Sequence, residues 1–339
     1  MPKVSFILPA YKRRFLKEAI DSILAQTCRD FELVVVDDKS PEALYEVIKE
    51  YPWESLFETL SDGGRRWLVD GVPVRYYQNT ENIGGEDLVA AWNHAMEYAT
   101  GEWCVLASDD DIYFPSYLTE MLCLVEEYPQ CDLFHARLAG IDAKGVWTNV
   151  CEQRVEFETQ VQMVYARGIC RMFQRAPDFL FRRSALDRIG GVVNFPLAWY
   201  SDDATWMLLA KNGCVHSKGI LFGFRTSGEN ISSRCNDVEL KLQAGEMFWL
   251  WFKDFYKTLS PTTSEDSFLM KNMLSMVRCA VDELSKAELA HVKSPFQWWK
   301  LLRGLNFPRR RTLSFVAARY PWLRLAKCFD FRRKIRSDE

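Results

Sequence analysis

The chain has 339 residues, of which 48% are hydrophobic and 26% are charged. This balance allows a full hydrophobic core and excludes a globally disordered protein. The formal net charge of −3 argues against a nucleic-acid-binding protein. No apolar run approaches the roughly 20 residues of a membrane-spanning helix, and the first residues lack the pattern of a signal peptide. We therefore expect a cytoplasmic protein whose scattered cysteines are reduced.

The first 135 residues alternate between short apolar runs and helical periodicity. Strands are predicted at 4–8, 33–36, 74–77, 104–107 and 133–136. Apolar stripes predict helices within 15–24, 43–51, 88–99 and 118–125. Ser40 and Pro41 are the expected N-cap and first residue of the second helix. Residues 53–72 are predicted to form an irregular excursion, and the chain after about 236 is predicted to be helical. This alternation predicts an α/β fold with a mostly parallel sheet.

Acidic residues follow two of the predicted strands. Asp37 and Asp38 come after the second strand, and Asp109, Asp110 and Asp111 come directly after the fourth. Ligands of parallel sheets bind beyond the carboxyl ends of the strands. Three consecutive carboxylates repel one another unless a cation lies among them, and Mg²⁺ or Mn²⁺ prefers such oxygen ligands. A solvated turn or a helix cap remains the alternative for any single aspartate.

A second acidic pair lies about ninety residues further along the chain. Asp202 and Asp203 precede a stretch of helical periodicity. A carboxylate at a helix N-terminus can act as a general base that deprotonates an acceptor hydroxyl. It can equally cap the helix and interact favourably with the helix dipole. The spacing alone does not decide between these roles.

Taken in order, several segments resemble the motifs of family 2 glycosyltransferases: 4–11, 24–27, 31–40, 81–84, 99–102 and 108–111. The resemblance implies the GT-A fold, a Rossmann-like nucleotide-binding sheet, mostly parallel and flanked by helices, here with a C-terminal helical appendage. Three parts are expected along the chain. They are a nucleotide-sugar-binding half at 1–130, an acceptor-binding half at 131–235 and a helical region, basic and rich in aromatic residues, at 236–339.

The resemblance also implies the site residues. It assigns the nucleotide-sugar site to Pro9, Tyr11, Asp38, Asn82, Gly84, Asp109, Asp110 and Arg225. Arg225 would contact the diphosphate, and Asn230 and Ser232 would lie on a loop that closes over the donor. A Mn²⁺ or Mg²⁺ ion is assigned to Asp109, Asp110 and Asp111, and which two of these form the family's D-x-D motif stays open. The family's Glu-Asp pair is Asp-Asp here, so Asp203 is the expected base and Asp202 the alternative.

The implied reaction moves a sugar with inversion from a nucleotide-sugar, here a UDP-sugar, to a hydroxyl of a glycan or polyprenyl-diphosphate-linked acceptor. The expected place of this reaction is cell-surface polysaccharide biosynthesis. A nucleotidyltransferase of related fold is one alternative, although Lys12-Arg13-Arg14 lacks the glycines of a triphosphate loop. A non-catalytic nucleotide- or sugar-binding homologue is another, which the retained aspartates disfavour.

The segment 291–336 differs in composition from the rest of the chain. It carries 13 lysines and arginines against one acidic residue, with aromatic residues interleaved. Basic segments with aromatic residues suit an anionic membrane surface, which predicts peripheral binding to the cytoplasmic face of a membrane. The alternative is a helical appendage that packs its aromatic residues on the catalytic domain. Binding of nucleic acid by this segment has no other support in the sequence.

Overall fold

The computed structural model describes residues 2–51, 54–60, 63–228 and 237–292, together with residues 294, 297, 298 and 301. Most of the basic segment 291–336 lies outside the described residues, as do Asn230 and Ser232. The predictions made for these parts of the chain therefore stay predictions.

Twelve strands form one mixed sheet. They are β1 (Val4–Ala10), β2 (Phe31–Asp37), β3 (Glu54–Thr59), β4 (Arg65–Val69), β5 (Val72–Gln78), β6 (Trp103–Leu106), β7 (Ile112–Tyr113), β8 (Leu133–Ile141), β9 (Trp147–Val150), β10 (Phe157–Glu158), β11 (Phe179–Arg182) and β12 (Cys214–Arg225). Their order is β10-β12-β8-β11-β6-β1-β2-β5-β4-β3, with β7 beside β12 and β9 beside β8. The central neighbours β6, β1, β2 and β5 are parallel, and β11 is antiparallel to β6.

Helices cover both faces of the sheet. They are α1 (Leu16–Leu24), α2 (Leu44–Lys49), α3 (Leu88–Met96), α4 (Tyr117–Glu127), α5 (Gln160–Gly168), α6 (Arg183–Arg188), α7 (Ser201–Leu209), α8 (Val238–Tyr256) and α9 (Ser264–Leu289). One core lies between the sheet and α1, α2 and α4. The other lies between the sheet and the remaining helices, including α8 and α9. The helical region predicted after residue 236 is thus confirmed where the structure describes it.

The five predicted strands are confirmed as β1, β2, β5, β6 and β8. The irregular excursion predicted at 53–72 is wrong, because this segment contains β3 and β4, which pair with each other and extend the sheet beyond β5. Along β4, Trp67 and Val69 are buried while their neighbours face outward. Asp70 and Gly71, both with positive φ, turn the chain directly into β5. An Asp-Gly pair beside an alternating strand is a hairpin signal, and it was present in the sequence.

The predicted start of α2 is also wrong. The helix begins at Leu44, and Ala43, with a left-handed backbone, is its N-cap. The Ser40 hydroxyl instead donates to the Tyr11 carbonyl at 2.5 Å and accepts the Glu42 N–H at 3.1 Å. Ser40 therefore joins the loop after β2 to the loop after β1.

The strand register brings the predicted site residues to one edge of the sheet. Ala10 pairs with Asp37, Asp37 pairs with Gln78, and Ile7 pairs with Leu106, all in parallel ladders. The loops that follow β1, β2, β5 and β6 consequently start side by side. This confirms that the two predicted acidic clusters at strand ends share an edge.

Candidate active site

Asp109 connects the end of β6 to the loop after β1. Its Oδ2 atom accepts the backbone N–H groups of Tyr11 and Lys12, each at 2.8 Å. Burial raises the pKa of Asp109 to about 6, while the two N–H groups act in the opposite direction. This carboxylate therefore holds the loop that carries Tyr11, whose side chain is 41% exposed.

Asp38 organises the loop after β5. Its Oδ1 accepts the Asn79 side-chain amide at 2.7 Å and the Ile83 N–H at 3.0 Å, and its Oδ2 accepts the Gly84 N–H at 2.7 Å. A Cβ atom on Gly84 would lie 2.8 Å from Asp38 Oδ2, so glycine permits this close approach. Asp38 does not cap α2, which removes that alternative.

The remaining predicted nucleotide contacts lie beside these loops. Asn82 closes a turn in which its Oδ1 accepts the Gly85 N–H at 2.7 Å. Pro9 lies in β1 opposite Val36, one residue before the strand ends. Pro9, Tyr11, Asp38, Asn82 and Gly84 thus gather where β1, β2 and β5 end.

Asp110 and Asp111 form a crowded acidic pair. Asp111 is 1% exposed and its Oδ1 accepts the backbone N–H of Arg225 at 2.7 Å. Burial and then the charge of Asp110 raise the pKa of Asp111 well above its usual range. Asp110 is 8% exposed and accepts a hydrogen bond from the Ser108 hydroxyl. Two buried neighbouring carboxylates fit a divalent cation, because the cation would offset their mutual repulsion.

The three aspartates predicted as metal ligands have different surroundings. Among the residues that the structure describes, no three acidic, histidine or cysteine side chains form a metal-binding group. The Oδ2 atom of Asp109 is engaged by two N–H groups of the loop after β1. Mg²⁺ and Mn²⁺ commonly take one or two carboxylates and complete their shell with water and phosphate oxygens. The residues present therefore fit a metal on Asp110 and Asp111.

Arg225 lies behind this acidic pair. Its side chain is 1% exposed and stacks over Phe15 at 4.3 Å. Nε donates to the Asp110 carbonyl and Nη2 to Glu18 Oε2, each at 2.7 Å. The predicted contact of Arg225 with a diphosphate is not what this geometry supports, because the guanidinium points inward and braces the loop that carries Asp110.

The second acidic pair lies in the first turn of α7, after Tyr200 in the left-handed conformation. Asp203 is 4% exposed, and its Oδ1 accepts hydrogen bonds from Arg167 Nε and, at 3.1 Å, from the Gln174 side-chain amide. An ion pair with Arg167 therefore fixes Asp203 in place.

Asp202 has a different environment. Burial, followed by the charge of Asp203, raises the pKa of Asp202 to about 7, while Arg167 and Arg175 act in the opposite direction. A carboxylate whose pKa lies near neutrality is suited to accept a proton at physiological pH. The two aspartates thus have different environments, because Asp203 is held by an ion pair with Arg167 while the pKa of Asp202 is raised.

Sequence reasoning missed three residues of this site, Arg167, Gln174 and Arg175. They lie at the end of α5 and in the loop that follows it. The only signal was the set of three arginines spaced four residues apart before Pro177, namely Arg167, Arg171 and Arg175. Their proximity to α7 depends on the packing of α5 against α7 and could not be derived from spacing.

The sequence matches the family model described as glycosyl transferase family 2 over residues 5–190, more than half of the chain. The chain belongs to glycosyltransferase family 2. The nucleotidyltransferase alternative is thereby rejected. EpsE of Bacillus subtilis, which is named a glycosyltransferase, is 29% identical over 146 residues, or 43% of this chain and 46% of EpsE. The chain thus spans less than half of EpsE. An uncharacterized glycosyltransferase of Nostoc sp. is 25% identical over 75% of both chains.

Solved structures extend the likeness to almost the whole chain. S. aureus TarS 1–349 in complex with UDP-GlcNAc matches with a TM-score of 0.63 and 16% identity, covering 94% of this chain and 92% of that one. The mannosyltransferase PcManGT of Pyrobaculum calidifontis, in complex with GDP-Man and Mn²⁺, matches with a TM-score of 0.51 and 16% identity, covering 95% and 87%. The enzyme therefore has the GT-A fold. Within the part of the chain that the structure describes, no helix has the length and apolar character needed to cross a membrane.

Proposed function

We propose that this family 2 glycosyltransferase transfers a sugar from a UDP-sugar to an acceptor hydroxyl with inversion. The proposal rests on the presence of two acidic pairs, Asp110 with Asp111 and Asp202 with Asp203. The charge of Arg175 lowers the pKa of both Asp111 and Asp202, which supports a single site for the two pairs. The first pair would hold the cation that stabilises the leaving diphosphate, and the second pair would deprotonate the acceptor hydroxyl.

The donor nucleotide is assigned to the edge formed by Tyr11, Asp38 and the 82–84 loop. Asp38 and Asp109 hold the loops at this edge through several short hydrogen bonds, so the binding surface is formed before the donor arrives. Support for a nucleotide-sugar comes from the solved structures of TarS with UDP-GlcNAc and PcManGT with GDP-Man. The preference for uridine follows from the resemblance of the 4–11 and 31–40 segments.

Asp110 and Asp111 would hold a Mn²⁺ or Mg²⁺ ion. When bound, this ion supplies charge stabilisation to the departing diphosphate. The protein contributes a buried and rigid pair of ligands. The Arg225 backbone N–H donates to Asp111 Oδ1, and Arg225 Nε donates to the Asp110 backbone carbonyl. PcManGT, which was crystallised with Mn²⁺, supports the choice of a divalent cation.

On the acceptor side we assign the base to Asp202 and the orienting role to Asp203. Asp203 is held by Arg167 and Gln174, which leaves Asp202 to take the proton of the acceptor hydroxyl. A single displacement at the anomeric carbon needs no protein nucleophile and inverts the configuration. The acceptor we propose is a glycan or a polyprenyl-diphosphate-linked sugar in cell-surface polysaccharide synthesis.

The experiment that tests this function measures nucleotide release from UDP-, GDP- and dTDP-sugars with and without Mn²⁺ or Mg²⁺. We expect slow, metal-dependent release from one UDP-sugar, which is lost in Asp111→Asn and kept in Asp187→Asn, a change at an exposed residue of α6. Release that persists without metal or in Asp111→Asn would reject the metal site. No nucleotide release across the panel, with no nucleotide binding, would favour a non-catalytic scaffold or a donor outside the panel.

The basic segment 291–336 supports a further part of this proposal, peripheral binding to the anionic cytoplasmic face of a membrane. The measurement is sedimentation with vesicles that contain anionic lipid. We expect truncation near Ser294 to reduce the sedimentation that the full chain shows at low salt. Equal sedimentation of both proteins would refute the membrane role and favour the packing alternative.

A further inference from the structure

Arg175 is clamped between two aromatic rings beside the candidate active site. Its guanidinium lies 4.1 Å from the ring centroid of Phe173 and 4.4 Å from that of Phe224. Nη1 donates to the Gln174 carbonyl at 2.7 Å. Within the described residues, this is the one hydrogen bond of the guanidinium, and no carboxylate forms an ion pair with it. A guanidinium has five N–H donors, so most of its capacity remains available.

The comparison with Arg225 shows what a structural arginine looks like in this chain. All three nitrogen atoms of the Arg225 guanidinium donate to protein oxygens, and the side chain is 1% exposed. Arg175 is half-buried, and Phe173 on one side of it is 43% exposed. The aromatic clamp thus fixes the plane of Arg175 at an open edge of the protein without using its donors.

The backbone of Arg175 is also fixed. Its N–H donates to Asp178 Oδ2 at 2.9 Å, at the start of the short 3-10 turn 176–178. Burial, and then the charge of Arg167, lowers the pKa of Arg175, which means that the cation is partly removed from water. The lowering of the Arg175 pKa is partly offset by the more distant charges of Asp178, Asp202 and Asp111. A fixed and partly desolvated cation with open donors is suited to an anionic ligand.

We propose that Arg175 binds phosphoryl oxygens of a substrate through paired N–H donors, beside Asp111 and Asp202. The proposal rests on the proposed function, because the reaction brings a nucleoside diphosphate to this site. In that reaction Arg175 takes the role for which the sequence had suggested Arg225. A phosphate on the acceptor would offer the same oxygens, so the two sources are separated by experiment.

The test measures by calorimetry, with Mn²⁺ present, the Kd of UDP, of uridine and of inorganic pyrophosphate. The variants are Arg175→Gln, Arg175→Lys and the control Arg171→Gln, whose side chain is exposed. We expect Arg175→Gln to raise the Kd of UDP and pyrophosphate about 10- to 100-fold, with uridine unchanged. Arg175→Lys should lose less, because it keeps the charge but lacks the planar fork. Thermal unfolding checks that each variant is folded.

Pyrophosphate carries no nucleoside, so a wrong donor assignment and a wrong role for Arg175 give different results. Binding of pyrophosphate but not UDP, with dependence on Arg175, would reject only the uridine donor. If Arg175→Gln leaves UDP binding intact but abolishes binding of glycerol phosphate to the UDP–Mn²⁺ complex, the acceptor is the source of the phosphate. Wild-type affinities in Arg175→Gln for all these probes, or no phosphate binding by the wild type, would overturn the proposal.

Discussion

Replacing Asp202 by Asn tests the electrostatics of the acceptor side directly. Burial, and then the charge of Asp203, raises the pKa of Asp202 from 3.8 to about 7. On raising the pH, the unfolded chain therefore releases this proton before the folded protein does. Asp202 thus lowers the stability of the folded state progressively between about pH 4 and pH 7, and the full penalty persists above that range. The variant lacks this carboxyl group and should escape the penalty.

The magnitude follows from the difference of about 3 pKa units between the folded and unfolded states. Each unit corresponds to about 1.4 kcal/mol, so the whole effect is about 4 kcal/mol. Of this, about 2 to 3 kcal/mol falls between pH 5 and pH 8. These figures are upper limits, because solvent reaches part of the Asp202 side chain and screens its charge.

The assay is urea unfolding of the wild type and Asp202→Asn at about pH 5 and about pH 8. We expect the free energy of unfolding of the wild type to fall between these pH values by up to about 2 to 3 kcal/mol more than that of the variant. Asp187→Asn, which removes an exposed carboxylate of α6, is the matched control and should follow the wild type. Equal pH dependence in Asp202→Asn and the wild type would refute the reasoning that Asp202 titrates near neutrality.

Three further predictions address other parts of the site. The kcat of the wild type should rise with pH around the Asp202 pKa of about 7. Asp203→Asn should move the midpoint of this rise to lower pH, because the charge that repels the Asp202 carboxylate is removed, and a shift to higher pH would contradict this prediction. Arg225→Met should lower the free energy of unfolding by about 3 kcal/mol in urea titrations, because Glu18 and buried carbonyls lose their donor. An unchanged urea midpoint would show that Arg225 does not brace the loop that carries Asp110. Gly84→Ala should weaken UDP binding about tenfold in calorimetry, since its Cβ would lie 2.8 Å from Asp38 Oδ2; unaltered affinity would separate this loop from the donor site.

The strands at the centre of the sheet and the acidic residues behind them were predictable because they depend on local patterns. Buried parallel strands contain continuous apolar runs, which are Phe6–Leu8 in β1, Leu33–Val36 in β2 and the whole of β6. Parallel strands also end at the same edge, so Asp38 and Asp109 could be placed together without a structure. The strands β3 and β4 were not predicted, although the Asp70-Gly71 turn that joins β4 to β5 is visible in the sequence.

The roles of the charged side chains depended on contacts between segments that are distant in sequence. Asp203 meets Arg167 across 36 residues, and Arg225 reaches Glu18 across 207 residues. Whether an aspartate is a base or an orienting group depends on which of its oxygens already has a donor, and spacing does not contain that information. The same applies to Arg175, which differs from Arg225 only in what surrounds it.

By itself, the sequence determined the family, the parallel centre of the sheet and the edge at which the predicted site residues gather. These follow from periodicity and from short motifs whose residues are close together in the chain. Only the tertiary structure decided that Asp109 holds a loop, that Arg225 is buried and that Asp203 is paired with Arg167. The physical reason is that burial and hydrogen-bond partners set the charge and availability of each side chain, and both arise from packing between segments distant in sequence.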